Sequence, residues 1–199
     1  MRRVVLTGGP CSGKTTVQRV LRETFTNQLV HVPEAATILL EGGFPAPNAT
    51  RPWSEAWQLS FQRAVLALQY SLEDIHSVAD EPKNLIVCDR GVLDGAAYTP
   101  GGRSEFGERF DVDLQDAIQR YDVVIHLESL ATADPKRYGR SNNEHRFESL
   151  EQAQSLEHAI REAWEDHPKK LFVDGSCGVD GKVATVCRFI RDLLAHESR

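Results

Sequence analysis

The chain has 199 residues, of which 41% are apolar and 26% charged, and this composition is typical of one soluble globular domain. The net charge of −6 and the lack of a basic tail disfavour nucleic acid as a partner. An acidic chain without such a tail can still carry a local basic patch. The apolar run near the start is too short for a signal peptide or a membrane span, so we expect a cytoplasmic protein with no membrane partner. The oligomeric state stays open.

The predicted elements alternate between short strands and helices. Apolar runs predict buried strands at residues 4–7, 29–33, 85–88, 123–127 and 171–173. Helical periodicity is found at residues 13–25, 57–79, 147–164 and 183–193, while glycines and prolines mark residues 41–52 as a loop. This alternation favours an α/β fold with a parallel sheet covered by helices on both faces. No internal repeat or low-complexity linker interrupts it, so residues 1–199 are interpreted as a single domain.

The first strand opens into a glycine-rich segment, Gly8-Gly9-Pro10-Cys11-Ser12-Gly13-Lys14-Thr15, which matches the phosphate-loop pattern G-x-x-x-x-G-K-[ST] at every fixed position. Glycines let main-chain N–H groups turn inward as an anion nest, and the helix that follows points its positive end at the phosphates. We expect these residues and Thr16 to bind ATP, with Lys14 as a catalytic cation on the β- and γ-phosphates. The Thr15 hydroxyl suits Mg²⁺. A glycine-rich turn without a ligand is the alternative, and its position between a strand and a helix disfavours it.

A second cluster follows the third predicted strand. Asp89 comes directly after the apolar run, at the sheet edge where open α/β sheets bind ligands. Its carboxylate is predicted to hold Mg²⁺ or to accept the proton of an attacking hydroxyl; the alternative is a cap on the next turn, with Gly91 supplying the bend. Arg90 is interpreted either as a ligand for a phosphate or acceptor hydroxyl or as half of a structural ion pair. Asp94 is a weaker candidate for the same site.

These motifs, together with others along the chain, resemble a known family. The others are Val-Pro-Glu-Ala-Ala at 32–36, Phe61-Gln62, and Asn142-Asn143 with Arg146. Over roughly residues 1–195 the set resembles the AAA-type ATP-binding domains related to ribosylnicotinamide kinase, and more broadly the P-loop nucleoside and nucleotide kinases. The resemblance implies a five-stranded parallel sheet of order 2-3-1-4-5, ATP with Mg²⁺, and phosphoryl transfer to a small hydroxyl or phosphate acceptor. It also implies an acceptor pocket, an arginine-bearing lid after the fourth strand, and a loop for the base of ATP near residues 175–177.

Two further residues are predicted in the acceptor pocket. Glu34 follows the second strand, and a carboxylate there suits sugar hydroxyls; its alternative role is in the first turn of a helix, where the helix dipole favours an acid. Gln62 both donates and accepts hydrogen bonds, which suits a base or an amide, although it is also an ordinary helix surface residue. Phe61, Trp53 and Trp57 are assigned to core packing, with a pocket wall as the alternative.

Residues 132–146 are predicted to form the lid, as a polar loop with clustered basic residues. Arginines brought in by a closing loop neutralise a transferring phosphoryl group and exclude water. Arg137 and Arg140 are predicted as catalytic phosphate ligands, and Arg146 as an adenine contact or a partner of a nearby glutamate. A solvated loop is the alternative.

The leading functional prediction is a small-molecule kinase that acts on a nucleoside, nucleotide or related metabolite. An ATPase coupled to a binding partner, a kinase of nucleic-acid 5′ ends and a nucleotide sensor without turnover are the alternatives. The sequence has no guanine-reading N-K-x-D motif, which favours ATP over GTP. The histidines show no metal-ligand spacing, so Mg²⁺ is the only metal predicted.

Overall fold

A computed structural model describes residues 1–78, 85–138 and 149–195 of the chain. The described strands all pair in parallel and form one sheet in the order β2-β3-β1-β4-β5. They are β1 (Arg2–Thr7), β2 (Leu29–Val32), β3 (Leu85–Asp89), β4 (Val123–Leu127) and β5 (Lys170–Val173). The predicted fold class and strand order are both confirmed.

Helices connect the strands. They are α1 (Lys14–Thr24), α2 (Ala35–Glu41), α3 (Glu55–Ser77), α4 (Gly102–Phe110), α5 (Leu114–Gln119), α6 (Leu130–Ala133), α7 (Pro135–Tyr138), α8 (Leu150–Ala163) and α9 (Gly178–Ala195), with 3₁₀ turns at Val92–Tyr98 and Gly175–Cys177. Over the described ranges, none of these helices combines the length and the apolar character that a membrane crossing requires.

Alternate residues of the central strands enter two separate hydrophobic cores. Val5 and Ile86 face one core, where Trp164 and Phe106 also pack. The residues next to them in sequence face the other core, which α1 and α9 cover. The two cores explain why the strands are continuous apolar runs, since both faces of a parallel sheet are buried.

The strand ends bring three polar side chains to one edge of the sheet. In the register of the sheet, Leu6 lies opposite Asp89, and Thr7 lies opposite His126. Central strand β1 therefore ends between the carboxyl ends of β3 and β4, which is where ligands bind in open α/β sheets.

Helix α3 differs from its predicted apolar stripe. Ile75 belongs to that stripe but is 66% exposed, whereas Gln62, Gln69 and Glu73 are buried. The reason is a buried polar network: the Glu73 carboxylate accepts hydrogen bonds from Gln69 (2.8 Å) and Tyr121 (2.7 Å) and pairs with Arg120 (2.5 Å). A buried acid that is fully paired can replace apolar residues on the inner face of a helix.

The described part of the predicted lid is not a polar loop. Residues 130–138 form α6 and α7, with Ala131 and Tyr138 buried against Ala153. The Ser129 hydroxyl caps α6 by accepting from the Ala131 amide (3.1 Å). Apolar contacts of this kind hold the start of the segment to the domain.

Candidate nucleotide and acceptor site

The phosphate loop joins β1 to α1 and is packed tightly from both sides. A Cβ atom on Gly8 would lie 2.1 Å from the Leu127 carbonyl oxygen, and one on Gly9 would lie 2.6 Å from Glu157 Oε2. Cys11 and Gly13 adopt left-handed φ angles of 62° and 90°. Successive residues of this kind form the concave backbone shape that binds anions.

Each carbonyl group of residues 8 to 12 accepts a hydrogen bond. The donors are Lys14 Nζ to Gly8 (3.3 Å), Ser12 N to Gly9 (3.2 Å), Ser129 Oγ to Pro10, Leu130 N to Cys11 (3.4 Å) and Lys182 Nζ to Ser12 (2.9 Å). A trans peptide is planar, so its C=O and the next N–H point in opposite directions. The amides of Cys11 and Gly13 therefore point away from Ser129 and Lys182, the donors to the Pro10 and Ser12 carbonyls, and we expect them to face the phosphates that this motif binds.

The start of α1 adds to this anion-binding character. Gly13 caps the helix and has no side chain, so the N-cap residue itself leaves the amides of the first turn open to an anion. Burial lowers the pKa of the Lys14 ammonium below its ordinary value, and nearby Arg90 lowers it further, while Asp89 opposes this shift. The Thr15 hydroxyl belongs to an exposed residue of the same turn.

Asp89 ends β3 with a carboxylate oxygen that is buried and unpaired. Its Oδ1 atom lacks a hydrogen-bond partner among the described residues. Burial raises the pKa of Asp89 to about 6, although the Lys14 ammonium opposes the shift. The turn is capped instead by Asp94, whose Oδ2 accepts the Gly91 amide (2.9 Å). The structure thus removes the capping role that was the alternative for Asp89.

The residues present fit Mg²⁺. In the ranges that the structure describes, no cluster of three or more His, Cys, Asp or Glu side chains could hold a metal ion. Mg²⁺ in nucleotide sites usually takes one or two protein ligands, with water and phosphate oxygens as the rest. The unpaired oxygen of Asp89 and the hydroxyl of Thr15 are hard oxygen ligands of the required kind.

A cavity of about 550 Å³ reaches Arg90, the residue after Asp89, and is lined mostly by apolar side chains. All four side chains predicted for the acceptor line it: Glu34, Gln62, Arg90 and Asp94. One wall is aromatic, because Trp57 and Phe61 stack with ring centroids 4.9 Å apart. Trp53 also lines the cavity and is 59% exposed, so its assignment to the core was wrong.

The charges in this cavity are paired with one another. Arg90 Nε lies 2.6 Å from Glu34 Oε1, and Arg90 Nη1 lies 3.2 Å from Asp94 Oδ1. Glu34 occupies the N-cap position of α2 without a side-chain capping hydrogen bond. Burial favours its neutral form, yet Arg90 and then Lys14 lower its pKa to about 2. Asp94 also accepts from the Thr7 hydroxyl and from Trp164 Nε1 (3.1 Å). Arg90 therefore forms the structural ion pair that was one of its two predicted roles, and Asp94 holds Arg90 in place.

Arg137, the predicted lid arginine that the structure describes, is not among the residues that line this cavity. Arg137 lies on α7 with its side chain 73% exposed, and it forms an ion pair with Asp134 at 3.9 Å. Arg140 and Arg146 lie outside the described residues. The catalytic and ATP-binding roles of these arginines stay predictions.

Two charged residues that the sequence analysis missed contact the phosphate loop. Glu157 Oε2 accepts the Gly9 amide (2.7 Å), its Oε1 lies 2.6 Å from His126 Nε2, and Lys182 donates to the Ser12 carbonyl. Burial would raise the pKa of Glu157, but the hydrogen bonds from His126 and Gly9 outweigh it and lower that pKa. The sequence offered a signal in the helical spacing, since Glu157 lies four residues after apolar Ala153, and Lys182 four residues before apolar Val186.

Comparison with known proteins bears on the family and the fold. A family model described as an AAA domain matches residues 3–181. No curated protein sequence matches the chain. Among solved structures, a deoxyadenosine kinase from M. mycoides with bound dATP aligns over 95% of this chain and 99% of its own, with a TM-score of 0.59 and 12% identity. At that identity the likeness concerns the fold.

Proposed function

The chain belongs to the AAA-domain family, and we propose that it is an ATP-dependent kinase that phosphorylates a hydroxyl group of a small molecule. One observation carries the proposal. The 550 Å³ cavity is lined by Arg90, which follows Asp89 at the end of β3, and Lys14 of the phosphate loop interacts electrostatically with both residues. A protein that only hydrolysed ATP would need no acceptor cavity beside the phosphates. That the deoxyadenosine kinase of the same fold was solved with dATP supports an adenine nucleotide as the donor.

The charges of the cavity favour an acceptor without a phosphate group. Among the described residues that line it, Arg90 is the cationic side chain, and two carboxylates already neutralise it. A nucleoside monophosphate, or the 5′ end of a nucleic acid, would bring negative charge against Glu34 and Asp94 without a spare cation. The stacked Trp57 and Phe61 and the buried Gln62 amide suit a planar ring with hydrogen-bonding edges. A nucleoside-like alcohol fits these features best.

The mechanism follows from the same residues. The amides of the loop and Lys14 hold the phosphates, and they act on charge that spreads over the transferring group. Mg²⁺, held by Thr15 and Asp89, would supply further charge neutralisation. Where Mg²⁺ does not contact Asp89 directly, burial raises the pKa of Asp89 to about 6, so its carboxylate is suited to accept the proton of the acceptor hydroxyl near neutral pH. Glu34, with a pKa of about 2, stays ionised and accepts a hydrogen bond without taking the proton.

The test is ADP release from Mg·ATP, measured alone and with panels of nucleosides and of nucleoside monophosphates. The proposal expects release that depends on a nucleoside and that disappears in Lys14→Ala. Release that is independent of every acceptor would identify an ATPase, and release that requires monophosphates would contradict the charge argument. A phosphorylated product found by mass spectrometry identifies the acceptor.

A further inference from the structure

Lys182 is a buried cation behind the phosphate loop that the proposed mechanism does not use. It lies in the first turns of α9, is 3% exposed, and donates from Nζ to the Ser12 carbonyl (2.9 Å) and to the Glu128 carbonyl. Burying an ammonium group costs free energy unless its donors are satisfied. Here they meet the main chain of the phosphate loop, although Lys182 is 170 residues away from Ser12 in sequence.

The contact with Ser12 determines the direction of the next amide. Because the peptide between Ser12 and Gly13 is planar, a donor that holds its carbonyl outward turns the Gly13 N–H inward. Gly13 caps α1 in a left-handed conformation, so this amide stands at the positive end of the helix. Without a donor on the Ser12 carbonyl, glycine could let this peptide rotate and direct its oxygen towards the phosphates.

The second contact of Lys182 extends the support to the other side of the site. Glu128 directly follows β4, and its Oε2 accepts a hydrogen bond from the Gly175 amide (2.8 Å). Lys182 therefore joins the phosphate loop to the turn after β5, where the family resemblance expects the base of ATP. Burial lowers the pKa of the Lys182 ammonium, although nearby acidic groups oppose this.

We propose that Lys182 is a positioning residue for ATP: its ammonium fixes the Ser12–Gly13 peptide so that the Gly13 amide faces the phosphates. The inference rests on the proposed ATP binding and adds a residue one position beyond the matched family region. Lys182 acts through the main chain and does not touch the reacting atoms. A purely structural lysine would affect folding, whereas a positioning residue affects the affinity for phosphates more than the affinity for the base.

The experiment compares Lys182→Met with Arg188→Met, which removes an exposed charge from the same helix. Isothermal titration calorimetry gives the dissociation constants of Mg·ATP, inorganic tripolyphosphate and adenosine, and urea unfolding checks the fold. Lys182→Met should weaken ATP and tripolyphosphate about tenfold, the loss of roughly one charge-assisted contact, and leave adenosine unchanged. The Gly13 amide should also shift in the ¹⁵N spectrum of the ligand-free variant, while Arg188→Met should match the wild type.

The outcomes separate the two proposals. If the wild type does not bind ATP, the proposed function fails. If the wild type binds ATP and Lys182→Met binds tripolyphosphate with unchanged affinity, the positioning role is overturned. Lys182→Gln keeps a hydrogen-bond donor without the charge and serves where the Met variant does not fold. It should bind tripolyphosphate more weakly than the wild type, and equal affinity overturns the role in the same way.

Discussion

Replacing Asp89 with asparagine should stabilise the ligand-free protein and abolish its activity. The carboxylate is buried with an unpaired oxygen, and its pKa rises from an ordinary value of 3.8 to about 6. The folded state therefore holds this proton more tightly than the unfolded state does. Between those two pKa values the folded state binds more protons, so its stability falls as the pH rises from about 4 to about 6. Above that window the buried carboxylate is ionised and lowers the free energy of unfolding by an amount that no longer changes with pH.

The size of this cost follows from the shift. A difference of about two pKa units corresponds to about 3 kcal/mol, since one unit is about 1.4 kcal/mol. The asparagine amide is also buried, so the substitution regains slightly less than this free energy. Asp89→Asn should therefore be more stable than the wild type by about 2–3 kcal/mol at pH 8. At pH 4 the two proteins should be nearly equal, because the wild-type carboxyl is then protonated.

Urea unfolding at pH 4, 5, 6 and 8, without nucleotide or Mg²⁺, measures the difference between the two proteins. The difference is the relevant quantity, because other carboxyl groups, Glu34 among them, titrate in both. Asp180→Asn, which removes a carboxylate at an exposed position, is the matched control. Asp89→Asn should at the same time lose acceptor-dependent turnover. A variant that is less stable than the wild type at pH 8, or as active, would refute the view of Asp89 as a strained functional carboxylate.

Three other predictions concern the phosphates. Lys14→Ala should keep the fold but lower turnover by a factor of roughly 10²–10³, the usual effect of one electrostatic contact, as measured by ADP release and thermal unfolding. Gly9→Ala places a Cβ atom 2.6 Å from Glu157 Oε2 and 3.2 Å from its Cα, so unfolding should show a loss of about 1–3 kcal/mol and calorimetry a weaker ATP affinity. Arg137→Ala and Arg140→Ala should each lower kcat more than they weaken ATP binding, with partial rescue by lysine; unchanged kcat in both would exclude a catalytic lid.

Local chemistry made much of the fold predictable. The strands are continuous apolar runs, and the phosphate loop is recognisable because its glycines and Lys14 lie close together in the sequence. The positions of Asp89 and Glu34 were predictable for a related reason: a polar residue directly after a buried strand must emerge at the carboxyl edge of the sheet. Helices α4 and α5 were not predicted, since they are short and carry a weak apolar pattern.

Only the tertiary structure determined which residues that are distant in the sequence contact one another. The sequence predicted for Arg90 either a ligand role or an ion pair. Its partner Glu34 became visible only when β2 and β3 were placed side by side, whereas Asp94 lies four residues further along the same segment. Lys182 reaches the phosphate loop across 170 residues, and no local pattern encodes which carbonyl a buried lysine will meet. The sequence alone determined which residue types reach the sheet edge, because that depends on neighbours along the chain. Their pairing, pKa values and preorganisation depend on neighbours in space, and these exist only in the folded domain.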